Sequence, residues 1–177
     1  MSTTRRIFRS SYTSSAEIRE LLELLFTAEL LLPSRCLWII SPWLSDLDLL
    51  DNRSDAFSSL DPQWGPRRIR LTEILGRLLE NGSHLVVATR TGQHNDTFLR
   101  KLDDLSRAIG ASDRLTVYQN DALHLKGILG NDFYLSGSMN LTFNGVELLE
   151  EGVTFETSLE AIGAARIQLL NGYGGVV

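Results

Sequence analysis

His124-Leu125-Lys126 is followed, after a short turn, by Gly137-Ser138-Met139-Asn140 and then by Glu150-Glu151. Along a strand successive side chains alternate faces, so His124 and Lys126 point the same way. An imidazole that can attack or donate a proton stands beside an ammonium, with the Ser138 hydroxyl and the Asn140 carboxamide close behind. Such a set suits the binding and attack of a phosphate. The cation offsets negative charge while the imidazole supplies the bond or the proton.

Elements on either side must hold these groups in place. Ser14 to Glu17 reads as a capping box, with Glu following a hydroxyl by three residues. Behind it Ile18, Leu21, Leu22, Leu25 and Ala28 recur at helical spacing, which predicts a helix over about 15–31 that ends before Pro33. Cys36 to Ile40 reads as a buried strand closed by Ser41-Pro42. Residues 45–68 read as a long polar loop carrying Asp46, Asp48, Asp51, Asp55 and Asp61, with Trp64 as its anchor on the body. Leu71, Ile74, Leu75, Leu78 and Leu79 predict a helix stopped at Asn81-Gly82, followed by a strand over His84 to Ala88. Asp96 is expected to cap a helix that carries Phe98, Leu102, Leu105 and Ile109, and Leu115 to Tyr118 follows as a strand. This alternation of strand and helix argues for an α/β protein with helices packed on a sheet.

The pattern then changes. Leu123 to Leu129 and Phe133 to Ser136 flank Gly130-Asn131-Asp132, a hairpin signal. A three-residue loop places His124 opposite Ser138, whereas a two-residue loop places it opposite Gly137 or Met139. A last strand is expected over Gly152 to Thr157, and Ser158 caps a final helix carrying Leu159, Ile162, Ile167 and Leu170.

The chain has 177 residues and reads as a single domain over 1–177, with 43% hydrophobic and 22% charged residues, ordinary for a globular protein. Cys36 is the one cysteine and sits in an apolar run, as a core residue would. With three scattered histidines no metal-ligand cluster is visible, and no cofactor is expected. Met1 to Thr13 carries Arg5, Arg6 and Arg9 and lacks the apolar stretch of a signal peptide, and no run approaches a membrane span. The expectation is a cytoplasmic protein.

His124-x-Lys126 followed by Gly137-Ser138-x-Asn140 resembles the signature of the phospholipase D superfamily, whose members break or exchange phosphodiester bonds. That pattern also has an Asp separated from the lysine by four residues. Here that position is Asn131, with Asp132 next to it, and the spacing to Gly137 is one residue short. Both departures fall in the hairpin turn, where change costs least. The resemblance implies an α/β/α sandwich, a mixed β-sheet flanked by helices on both faces. It also implies an acidic partner for the histidine, Glu151 by the best alignment and Glu150 otherwise. More loosely, the chain is similar to small single-motif members. These are dimeric bacterial endonucleases and the phospholipase D-like (DpdK-like) component of gene clusters that insert deazaguanine bases into DNA.

The chemistry so implied uses a neutral histidine to form a phosphohistidine and a second, protonated histidine to release the leaving oxygen. Only one His-x-Lys is present, since His84 opens a core strand and His94 lies at an exposed helix entrance. A homodimer with one site on its two-fold axis supplies the second set. His124 is then nucleophile or general acid, Lys126 and Asn140 bind phosphate oxygens, Ser138 bonds the phosphate or the adjacent backbone, and Glu151 orients the imidazole.

The expected substrate is DNA, cut without a metal ion. A phospholipid or small-diester phosphodiesterase and a non-cleaving nucleic-acid-binding subunit are the alternatives. The long loop is acidic rather than apolar, which argues against a lipid surface. Arg67, Arg68, Arg70 and Arg90 are the candidate substrate-binding cations. At a net charge of −5 the chain should hold DNA weakly by itself, so a narrow substrate or partner proteins of a DNA-modification or defence complex are expected.

Overall fold

The structure, a computed structural model, describes residues 4–9 and 16–176. The expected capping box at Ser14 and Ser15 lies outside these residues. Nine strands and four α-helices follow in chain order among the described residues. They are β1 (Thr4–Arg9), α1 (Ala16–Leu31), β2 (Cys36–Ile40), β3 (Asp48–Asp51), β4 (Arg68–Arg70), α2 (Leu71–Glu80) and β5 (His84–Thr89). Then come α3 (Gln93–Ala108), β6 (Leu115–Gln119), β7 (Gly127–Leu129), β8 (Tyr134–Gly137), β9 (Glu151–Glu156) and α4 (Leu159–Tyr173). A single π turn spans Asn144–Leu148. No helix among the described residues is long and apolar enough to cross a membrane.

A seven-stranded mixed sheet runs in the order β1-β9-β8-β7-β2-β5-β6. β2, β5 and β6 are parallel, and β7, β8, β9 and β1 continue the sheet in antiparallel pairs. Strand alternation sends Leu37 and Ile39 to one face and Cys36, Trp38 and Ile40 to the other. The first face packs against α1, α2 and α3 through Leu22, Phe26, Leu75 and Phe98. The second packs against α4 through Ile162, Ala165 and Leu169. Both faces of β2 are therefore dry, which is why its sequence is a continuous apolar run. The architecture is the α/β sheet with helices on both faces that the sequence leads one to expect.

Three expectations are corrected. The 45–68 segment is not a structureless loop, because β3 and β4 pair within it as a small antiparallel sheet with Leu49, Leu50 and Ile69 buried. Trp64 is buried, and its carbonyl accepts from the Asn52 side chain at 3.0 Å, so it anchors this segment. Helix α3 starts at Gln93 rather than after Asp96. Asn95 is turned inward and fully buried there, and Asp96 stands in the first turn, where a carboxylate complements the helix dipole. The polar start contains an edge strand, β1, whose Ile7 and Arg9 are buried.

Arg9 explains why such a polar strand is kept. Its guanidinium donates to the carbonyls of Gly145, Val146 and Leu149, groups that the π turn leaves open. That contact ties the far edge of the sheet to the loop that leads into β9.

Candidate active site

The parallel strands β2, β5 and β6 end at one edge of the sheet, and the loops that follow them carry Trp43, Arg90 and His124. In open α/β sheets ligands bind at the carboxyl ends of such strands. β7 then returns antiparallel to β2, with Gly127 opposite Ile40, so the approach to β7 holds Lys126 at the same edge.

The hairpin register differs from both sequence alternatives. Its loop has four residues, Gly130–Phe133, with Leu129 paired to Tyr134 and Gly127 to Ser136. Phe133 is drawn into the core, where it stacks on Phe155 at 6.2 Å, and so joins the turn rather than the ladder. The Gly130 amide closes the turn on the Phe133 carbonyl at 3.1 Å. Glu29 and Ser34 brace it from beneath. Ser34 Oγ donates to Glu29 at 2.7 Å and accepts from the Asn131 amide at 2.7 Å. A hydroxyl from another element thus serves the turn in which the expected Asp is missing.

His124 consequently lies before β7, in an irregular segment outside the ladder, and does not face Ser138 as a strand partner. It is exposed, and its ring makes no hydrogen bond to the described residues. Lys126 is half-buried and donates from Nζ to the His124 carbonyl at 2.8 Å, so the ammonium is folded back along its own loop. Lys126 also lines a small cleft with Ser41, Gly137 and Met139, which brings it to the residues on either side of Ser138.

Ser138 and Glu151 form a direct pair. Ser138 Oγ donates to the Glu151 carboxylate and accepts from the Gly152 amide at 3.0 Å. The Ser138 amide completes the link by donating to the Gly152 carbonyl at 3.0 Å. Glu151 is 9% exposed at the head of β9, whereas Glu150 is exposed. In this arrangement the Glu151 carboxylate meets Ser138, and no bond runs from it to the His124 ring. Gly137 makes the approach possible. Its φ is +156°, and a Cβ there would lie 2.1 Å from the Gly152 carbonyl oxygen.

Asn140 closes the set. Its Oδ1 is buried without a hydrogen-bond partner among the described residues, which is costly unless a donor arrives. The residue lines a second cleft with Trp43, His94 and Phe143. His94 is therefore a near neighbour of the candidate residues, which its position in the sequence at a helix entrance does not disclose.

Of the candidate arginines, Arg90 stands at this edge. Its Nε donates to the Leu123 carbonyl at 2.8 Å, one residue before His124. Arg67, Arg68 and Arg70 surround the β3–β4 sheet instead. Arg67 is held by Glu73 at 2.5 Å, and Arg70 lies 3.6 Å from Asp48 and 3.8 Å from Asp46. The charges of Arg67 and Arg70 are thus matched by carboxylates. Burial would raise the Asp46 carboxyl, but Lys101 and Thr72 together hold it below its ordinary value.

Two positioning residues carry no sequence signal of function. Asn95 donates from Nδ2 to the Pro42 and Arg90 carbonyls at 2.9 and 2.8 Å and accepts from the Leu44 amide at 2.9 Å. Ser41 Oγ donates to the Trp43 carbonyl at 2.7 Å and accepts from the Leu141 amide at 3.0 Å. The loops after β2 and β5 and the Asn140 loop are thereby fixed to one another. An Asn three residues after Gly92 reads in sequence only as a helix start.

No family model matches the sequence, and no curated protein matches it. Solved structures do. Nuc from Salmonella typhimurium, a phospholipase D family member, has a TM-score of 0.59 at 8% identity, over 96% of this chain and 92% of that one. NucT from Helicobacter pylori has a TM-score of 0.57 at 11% identity, over 98% of this chain and 99% of that one. Phosphatidylserine synthase from Haemophilus influenzae has a TM-score of 0.60 at 16% identity, over 96% of this chain but 38% of its own. At these identities the likeness is one of fold: over nearly its whole length, the chain is built on the fold of Nuc, a phospholipase D family member.

Proposed function

We propose that the protein is a metal-independent phosphodiesterase that cuts DNA through a phosphohistidine at a site shared by two copies of the chain. The observation that carries this reading is the exposed imidazole of His124, unbonded among the described residues, at one sheet edge with Lys126, the Asn140 side-chain oxygen and the Ser138–Glu151 pair. The fold shared with Nuc supports it.

In this scheme Lys126 and Asn140 hold the non-bridging oxygens and offset their charge. The His124 imidazole attacks phosphorus, the P–N bond forms, and the ester P–O bond breaks. The leaving oxygen takes its proton from the imidazolium of His124 in the second copy. That imidazole then removes a proton from water, which attacks phosphorus and breaks the P–N bond. Ser138 and Glu151 act as one unit that fixes the loop carrying Asn140. Partner proteins of a DNA-modification or defence complex would deliver the nucleic acid to an acidic protein.

Incubation of labelled DNA with the protein in excess chelator tests the reading, with light scattering run alongside. Cleavage by a dimer, abolished in His124→Ala, supports it. Cleavage that is lost in chelator, retained in His124→Ala, or performed by a monomer contradicts it. Headgroup release from phosphatidylcholine vesicles in place of DNA cleavage favours a lipid substrate.

A further inference from the structure

Three tryptophans lie in the chain, and they are buried unequally. Trp38 is 1% exposed and Trp64 is 4% exposed, but Trp43 is 38% exposed beside Asn140. Its backbone is rigid, held through Ser41 to the Asn140 loop and through Asn95 to the Arg90 loop. The Arg90 guanidinium lies over the indole at 5.9 Å, and the His94 ring stands perpendicular to it at 5.7 Å. Arg90 is itself bonded to the carbonyl preceding His124. A large apolar ring is thus kept at the surface, in a fixed orientation, one residue-to-residue contact away from the loop of the candidate nucleophile.

Exposed aromatic rings backed by arginine are stacking platforms for unpaired bases, while a base inside a duplex has no free face to offer. Phe143 lines the same cleft, as do Asn140, Thr142 and Asn144. Those polar groups match base edges and phosphate better than an acyl chain. We propose that Trp43 is the stacking subsite for an unpaired nucleobase adjoining the phosphate at His124 and Asn140, so that single-stranded nucleic acid is the substrate class. This rests on the phosphodiesterase reading for the chemistry, but its binding step is separable from turnover.

The test uses full-length His124→Ala protein, which holds an oligonucleotide without cutting it. Its affinity for a single-stranded oligodeoxynucleotide is compared with that for an abasic strand of equal length, by anisotropy and by quenching of tryptophan emission. Because Trp38 and Trp64 are buried, quenching reports Trp43. The expected result is about tenfold tighter binding of the base-bearing strand, with quenching. That preference should be lost when Trp43→Ala is added and largely kept with Trp43→Phe, which preserves a stacking face if the alanine variant folds poorly. Equal binding of the two strands, no binding of either, tighter binding of a duplex, or a blue shift with anionic vesicles in place of DNA overturns the proposal. If base preference stands but wild-type protein cleaves no diester, the phosphodiesterase reading fails and the stacking subsite survives.

Discussion

Ser138 donates its hydroxyl hydrogen to the Glu151 carboxylate while its oxygen accepts the Gly152 amide. One hydroxyl therefore satisfies a nearly buried charge and pins the end of β8 to the start of β9. In Ser138→Ala both partners lose their bond, and the carboxylate keeps its burial. Urea denaturation should show a loss of about 1–3 kcal/mol, and diester turnover should fall as well.

Gly137→Ala should be more damaging than its single methyl suggests. The added carbon meets a backbone oxygen at 2.1 Å and the backbone is left-handed, so β9 itself must move. A destabilisation of about 3 kcal/mol is expected, read as a lower melting temperature. Ser138 and Glu151 would separate, and activity should fall further than stability alone accounts for.

Arg9→Ala should destabilise the protein although no candidate catalytic group is touched. The variant leaves the carbonyls of Gly145 and Val146 in the π turn, and of Leu149 just after it, without their donor. Charge-assisted bonds of this kind carry about 1.5–3 kcal/mol each at most, so a loss of several degrees in melting temperature is expected. Hydrogen exchange should rise first at residues 144–149.

The hairpin turn should make stability depend on pH. Burial pushes the Glu29 carboxyl above its ordinary value, against the pull of its bonds from Ser34. A raised carboxyl favours the protonated form in the folded state. Its contribution is therefore fully present below the unfolded value and is lost as pH rises through the folded one. Glu29→Gln, which mimics the protonated group, should flatten this dependence and stabilise the protein at neutral pH. Denaturation midpoints from pH 4 to 8 check it, and a wild-type midpoint that rises across that range relative to Glu29→Gln contradicts it.

Much of the fold was legible because its signals are local. The apolar run Cys36–Ile40 and the spacing of Leu71, Ile74, Leu75 and Leu78 mark β2 and α2 in the sequence, and the structure has both. What escaped is what only tertiary contact decides. Arg5 and Arg6 make β1 look like a polar tail, and its pairing with β9 at the far end of the chain is invisible until the sheet exists. The hairpin register turned on whether Phe133 enters the core or the ladder, a choice made by Phe155. In the site, His124, Lys126, Ser138, Asn140 and Glu151 stand out by type and spacing, and the paired state of Arg67 and Arg70 does not. Trp64 and Trp43 look alike in sequence, yet one is core and the other lies at the cleft.

The mechanism turns on one phosphoryl group becoming bonded to a single His124 at a site that two chains share. Rapid quenching of the wild-type protein with a labelled diester in chelator, followed by mass spectrometry of the His124 peptide, measures this directly. The expected result is an acid-labile adduct on His124 that carries the phosphoryl group with its retained ester arm, at one per two chains. An adduct on every chain, an adduct elsewhere, or turnover with no adduct at all would contradict it.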